Sequence, residues 1–331
     1  MSAIVRPATV LVTGARGYLG GRLVQYLAGR GRAVHGTSRS DRPAPDGWPA
    51  GVPLTKLDPL GDPAAAIAAL SGVGTVIHLA AANEGRSASE PDAALAETGA
   101  GTRRLVEAAV AAGVERFVFL STIHVYGTPL RGLLSETDRV RPVHPYAITH
   151  QVGEAFTLAA SDAGRIEGVV IRLSNAIGAP AWIDVDRWTL LANDLARQAV
   201  RTGEVVLRTP GQWRDFIALS DVCQAVERII DAPSQALRDG IVNLASGRTS
   251  RVDDIAVRVA RAAEKELGRP IVVHGPTPDV GAAEPPFTLS VDRLQRLGLV
   301  LSTTESLDHA LAETIRLLKH RSLRTDSPRP R

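Results

Sequence analysis

Thr13-Gly14-Ala15-Arg16-Gly17-Tyr18-Leu19-Gly20 is the stretch that decides the fold. It follows an apolar run, Thr9 to Thr13, and opens a segment with helical periodicity, Tyr18 to Arg30. A loop in that position needs glycine for a tight turn, for close approach of a pyrophosphate, and for packing helix on strand. The helix N-terminus then turns free N–H groups toward an anion. At the first strand–helix junction of an alternating chain, this spacing predicts a dinucleotide site at Gly14, Gly17, Tyr18, Leu19 and Gly20.

The alternation continues outward from that loop. Strands are expected at Ala33 to Thr37, Val52 to Leu57, Thr75 to Leu79, Arg116 to Ser121 and Gly168 to Leu173, and again at Ile241 to Leu244. Helices are expected at Pro91 to Ala112 and His144 to Asp162. The pattern predicts an α/β fold: a Rossmann-type, doubly wound parallel sheet. After Asn175 it loosens, with helices near Asp186 to Thr202, Val252 to Leu267 and Ser306 to Leu318, and a short strand at Val205 to Leu207. We therefore expect a dinucleotide-binding domain over 1–174 plus about 217–244, a smaller C-terminal α/β substrate lobe over 175–216 and 245–320, and a disordered tail over 321–331. The loops at Asp41 to Ala50 and Pro276 to Pro286 read as proline-rich connectors.

Composition excludes several classes. No apolar run exceeds strand length, so no membrane partner is expected. The chain passes from Met1 into a strand by about Thr9, which points to the cytoplasm. Cys223 stands alone, so neither a disulfide framework nor a cysteine metal site is expected. The net charge is only +3, and arginines alternate with acids along Arg258 to Glu266, so nucleic acid is not an expected partner.

The residues so far, with three further motifs, carry a resemblance. Val76-Ile77-His78-Leu79-Ala80-Ala81, Phe119-Leu120-Ser121-Thr122-Ile123-His124-Val125-Tyr126-Gly127 and Pro145-Tyr146-Ala147-Ile148-Thr149-His150 resemble motifs of the extended short-chain dehydrogenases/reductases, the NAD-dependent epimerase/dehydratase family. The resemblance spans roughly residues 8 to 318. It implies that Leu79, Ala80, Ala81 and Ser121 lie beside the cofactor and that Leu57 and Asp58 contact adenine. It also implies that Thr122 bonds the reacting substrate oxygen, with Tyr146 as proton donor or acceptor while hydride moves at the nicotinamide. Asn175 and Arg214 match positions that hold a substrate diphosphate, which makes a sugar or nucleotide sugar the expected substrate.

Two departures bear on the chemistry. His150 stands where the family has the lysine that pins the nicotinamide ribose and activates tyrosine, and Thr98 stands where asparagine is usual. A histidine, mostly neutral near pH 7, can still donate a hydrogen bond to ribose but does little to lower a tyrosine pKa. By the same resemblance His124 occupies the place of a substrate-facing acid or base, or is a polar wall residue that only bonds a sugar hydroxyl; with no carboxylate at 123 or 124, 4,6-dehydration is not expected. Arg39 after the second strand, with no acid before Asp41, favours NADP, with NAD as the alternative. The expected function is NADPH-dependent reduction of a keto group on a sugar or nucleotide sugar by Tyr146, Thr122, His150 and His124, in a homodimer built on helices near 98–112 and 146–162. A nucleotide-sugar epimerase with retained cofactor and a catalytically weak, cofactor-binding regulatory protein remain open.

Overall fold

The computed structural model describes residues 9–209, 211–275, 286–299, 301 and 304–325. Seven parallel strands, β1 (Thr9–Thr13), β2 (Val34–Ser38), β3 (Leu54–Lys56), β4 (Val73–His78), β5 (Arg116–Thr122), β6 (Glu167–Leu173) and β7 (Ile241–Leu244), form one sheet in the order β7-β6-β5-β4-β1-β2-β3. The order reverses between β1 and β4, and an open α/β sheet places its ligand crevice at such a switch point. Strands buried on both faces account for the continuous apolar runs: Val10 to Val12, Val76 and Ile77, and Phe117 to Phe119 are all sealed.

Glycine is obligatory at the first turn. Gly14 sits at φ +64°, and a Cβ there would press on the Ala80 backbone at 3.1–3.2 Å. A Cβ on Gly20 would lie 2.2 Å from the Gly14 carbonyl oxygen, so any side chain there would push the Tyr18–Gly29 helix off β1.

The lobe has its own small sheet, Asn175–Ile177 beside Trp213–Ala218 beside Thr249–Arg251, and three mutually packed helices, Leu191–Thr202, Val252–Leu267 and Thr304–Thr325. Its core gathers Leu195, Phe216, Val259 and Ile315. The Leu219–Asp231 helix, for which the sequence reading gave no element, returns to the sheet and buries Val222, Cys223, Val226 and Ile229 against it.

Other differences concern boundaries. The long helix expected at Pro91 to Ala112 is divided: Pro91–Ala94, a π-helical stretch Leu95–Ala100, then Gly101–Ala111. The π stretch brings Gly99 against Val152 of the Pro145–Asp162 helix, where a Cβ would meet Val152 Cγ1 at 2.9 Å. The last helix continues through Thr325, into the stretch expected to be a tail; 326–331 lie outside the described residues, as does the connector Pro276 to Pro286 except Pro286 itself.

One buried ion pair binds the Pro145–Asp162 helix to the sheet. Glu154 and Arg172, each 4% exposed, meet at 2.8 Å, and Glu154 also accepts from Ser121 Oγ at 2.5 Å. Removing one partner leaves the other charge buried and unpaired. Glu154→Ala is expected to cost about 3–5 kcal/mol in the urea unfolding free energy, and a loss under about 1 kcal/mol would contradict the assignment.

Candidate active site

A cavity of about 520 Å³ opens at the C-terminal ends of the strands, between sheet and lobe. Gly14, Gly17, Tyr18, Leu19 and Gly20 form its floor at one end, joined by Leu57, Arg39, Leu79, Ala80 and Ala81; Ser121, Thr122, His124, Tyr146 and His150 stand at the other, with Asn175 and Arg214 on the lobe side. A Cβ on Gly17 would approach the Gly14 carbonyl at 3.0 Å, so the bare loop backbone leaves room that a side chain would fill. That shape, at a helix N-terminus, fits a dinucleotide pyrophosphate.

A directed hydrogen-bond chain fixes the crevice floor. Thr13 Oγ1 accepts the Leu79 and Ala80 N–H groups, both at 3.1 Å, so its own hydroxyl proton goes to His78 Nδ1 at 2.7 Å. His78 Nε2 then donates to Thr102 Oγ1 at 3.1 Å, and Thr102 donates to the Thr98 carbonyl. Burial lowers the His78 pKa to about 3, which keeps it in this neutral form. Thr98, the residue in place of asparagine, accepts the Ala82 N–H at 3.0 Å and so holds the loop after β4.

The Pro145–Asp162 helix begins at His144, whose Nδ1 accepts the Ala147 N–H at 3.4 Å. Its first turn presents Tyr146, with the His144 ring stacked at 6.2 Å on one side and the His150 ring at 4.2 Å on the other. Burial, reinforced by the Glu84 carboxylate, raises the Tyr146 pKa well above the usual phenol value, while Arg187 and a hydrogen bond with Thr122 only partly oppose it. Tyr146 therefore keeps its proton at neutral pH.

His150 does not behave as the sequence suggested. Its Nδ1 lies 2.7 Å from the Tyr146 carbonyl oxygen, which can only accept, so Nδ1 carries the proton. Burial lowers its pKa to about 4, so the imidazole is neutral and Nε2 bears a lone pair. The expectation of a donor to ribose is thus reversed: in this tautomer Nε2 accepts. His124 is likewise held neutral, first by burial and then by His144, its ring 5.5 Å away.

Several other positions depart from expectation. Asp58 is outside the cavity lining and turns its Oδ1 to the Leu60 N–H at 3.0 Å, capping a turn. Asn175 Nδ2 gives one of its two hydrogens to the Asp215 carbonyl at 2.9 Å, leaving its second N–H and its oxygen for a ligand. Asp215 is a buried pin that accepts from Ser174, Ser246 and the Arg248 N–H. Arg214 has a pKa lowered by burial and donates to Gln212 at 3.1 Å, so its charge faces the cavity without a carboxylate partner among the described residues. Arg39 lies at the expected end but is paired with Glu97 at 2.6 Å.

Sequence reasoning missed Glu84 and Arg187, which meet at 3.0 Å across the cavity mouth, one after β4 and one in the lobe. Nothing in a single sequence pairs residues a hundred positions apart. Burial works to raise the Glu84 carboxyl, but Arg187, a hydrogen bond from its own backbone and His124 together outweigh it and hold the group below the usual carboxylate range.

The two buried histidines make stability depend on pH. With folded values of about 3 for His78 and about 4 for His150, the unfolded chain binds more protons once pH falls below about 6.5. Stability should therefore fall from pH ~6.5 towards ~4, by up to about 1.4 kcal/mol per pH unit for each histidine. Urea titrations of the natural chain and His150→Gln test this. The variant should have the shallower slope, and equal slopes would contradict a neutral, buried His150.

The model of the NAD-dependent epimerase/dehydratase family matches residues 10–245. The chain is 32% identical to the dTDP-6-deoxy-L-talose 4-dehydrogenase (NAD(P)(+)) of Kitasatospora kifunensis, over 74% of this chain and 76% of that one. It is 30% identical to the UDP-glucose 4-epimerase of Rhizobium leguminosarum bv. trifolii, over 60% of this chain and 64% of that one. Among solved structures, MoeE5 in complex with UDP-glucuronic acid and NAD superposes with a TM-score of 0.74 at 30% identity, covering 95% of this chain and 99% of that one. With the glycine cradle, the parallel sheet and Tyr146 beside Thr122, these matches establish that the chain belongs to the NAD-dependent epimerase/dehydratase family.

Proposed function

We propose that the protein reduces a keto group on a nucleotide sugar, with a nicotinamide dinucleotide as hydride donor. The observation that carries this reading is that Tyr146 and Thr122 line the same cavity as the glycine loop. A neutral phenol is a proton donor, and ketone reduction requires one at the oxygen where negative charge develops. The relatives that act on dTDP- and UDP-sugars, and Arg214 in the cavity wall with no carboxylate partner among the described residues, favour a substrate with a nucleoside diphosphate.

In this mechanism Thr122 polarises the substrate carbonyl and Tyr146 gives its proton to the forming alkoxide. The bound dinucleotide supplies hydride. The glycine loop seats its pyrophosphate, and the His150 Nε2 lone pair accepts a hydrogen bond from a ribose hydroxyl. Arg214 and the free N–H of the Asn175 carboxamide orient the substrate, and neutral His124 bonds a sugar hydroxyl. The Glu84–Arg187 pair closes the mouth, excluding water from the reacting carbon. A homodimer is part of the proposal, supported by the exposed Leu95, Ile148 and Phe156 along the helices expected to form its interface.

Similarity to UDP-glucose 4-epimerases favours a second reading, in which the cofactor stays bound and hydride returns to the opposite face of the same carbon. Stoichiometry separates the two. A panel of nucleotide keto-sugars with NADH and NADPH should show one dinucleotide oxidised per sugar reduced. Epimerisation with catalytic cofactor would replace the reductase reading, and tight cofactor binding without turnover would indicate a regulatory protein.

Tyr146→Phe should lower kcat by about a thousandfold or more while leaving dinucleotide affinity nearly unchanged. His150→Lys should place a fixed cation beside the phenol and move the tyrosine limb of the pH–rate profile to lower pH. An unmoved limb would show that position 150 does not act on Tyr146.

A further inference from the structure

The end of β2 lacks the acid that usually meets the adenosine ribose: Ser38 stands there, followed by Arg39. Glu97, on the π-helical stretch before the Gly101–Ala111 helix, comes to the same end of the cavity. Its side chain is only 9% exposed, with Arg39 Nη2 at 2.6 Å from Oε1 and Arg86 Nη1 at 2.9 Å from Oε2. The Arg86 N–H does not point along the line to Oε2, and that oxygen, though buried, accepts no hydrogen bond. Glu84, the other acid lining the cavity among the described residues, is held by Arg187 across the mouth.

We propose that Glu97 reads the 2′ position of the adenosine ribose and selects NAD over NADP. The inference rests on the dinucleotide-binding reading of the cavity. Two effects act together. Glu97 occupies Arg39, the guanidinium that would otherwise receive a 2′-phosphate. It also engages Arg86, so neither guanidinium is left for a phosphate that itself carries about −1.5 to −2. A 2′-hydroxyl meets neither obstacle and can donate to the carboxylate. This replaces the preference for NADP that Arg39 suggests when read alone. Glu97 lies within the π-helical stretch, whose wider turn shifts the phase of the residues on either side of it.

Calorimetric titration with NAD+ and NADP+ tests the proposal without any turnover. The natural chain should bind NAD+ at least about tenfold more tightly, and Glu97→Gln should reduce that ratio about tenfold by tightening NADP+. Adding Arg39→Gln to Glu97→Gln should abolish the gain. If both cofactors bind and Glu97→Gln leaves their ratio unchanged, the proposal falls while the dinucleotide reading stands. If neither binds, both fall. Should Glu97→Gln fail to fold, Arg39→Gln in the natural chain decides. Its NADP+ affinity should change less than about twofold, and a loss of about tenfold would show that Arg39 is free to bind the phosphate.

Discussion

The buried contact between Glu154 and Arg172 is the constraint on which the site's geometry depends. Tyr146, His150 and Glu154 follow at four-residue intervals on one helix, so fixing Glu154 fixes the other two in rotation. Arg172 belongs to β6, and Ser121, which donates to the same carboxylate, belongs to β5 beside Thr122. One carboxylate thus sets the distance between the phenol and the threonine hydroxyl. Arg172 also lies 4.8 Å from the Tyr126 ring centre, and the Tyr126 hydroxyl donates to Asn243 on β7, so the network reaches the sheet edge. A buried ion pair offers little net stability, but it penalises every alternative register.

The chemistry follows from what this frame leaves uncharged. A lysine at position 150 would place a permanent cation beside the phenol and favour its ionised form. Here the His144 and His150 rings flank Tyr146, His124 lies against His144, and burial keeps His124 and His150 neutral. Glu84 adds negative charge. The site therefore holds Tyr146 in its protonated form at neutral pH.

Much of this was legible in the chain. The Gly14 turn reads directly because close backbone approach admits only glycine at Gly14 and Gly20. The sheet strands read because parallel strands buried on both faces are uninterrupted apolar runs. Tyr146 and Thr122 were found through local motifs, and they do meet. What escaped depends on contacts between distant segments or on side-chain direction. Arg39 looked free because Glu97 lies 58 positions away, within a π-helical stretch that composition does not announce. His150 looked like a donor because a sequence cannot show which ring nitrogen the Tyr146 carbonyl claims. Asp58 matched a motif position yet caps its own turn. The Leu219–Asp231 helix was overlooked although its apolar spacing is regular.

The most direct test is the fate of deuterium from NADH labelled on the transferring face of the nicotinamide, incubated with a dTDP- or UDP-linked 4-keto sugar. The account predicts label bonded to a single carbon of the sugar, retained in the product, and absent when Tyr146→Phe replaces the natural chain. Sugar recovered without label, from a protein that nevertheless binds both NADH and the nucleotide sugar, would contradict it.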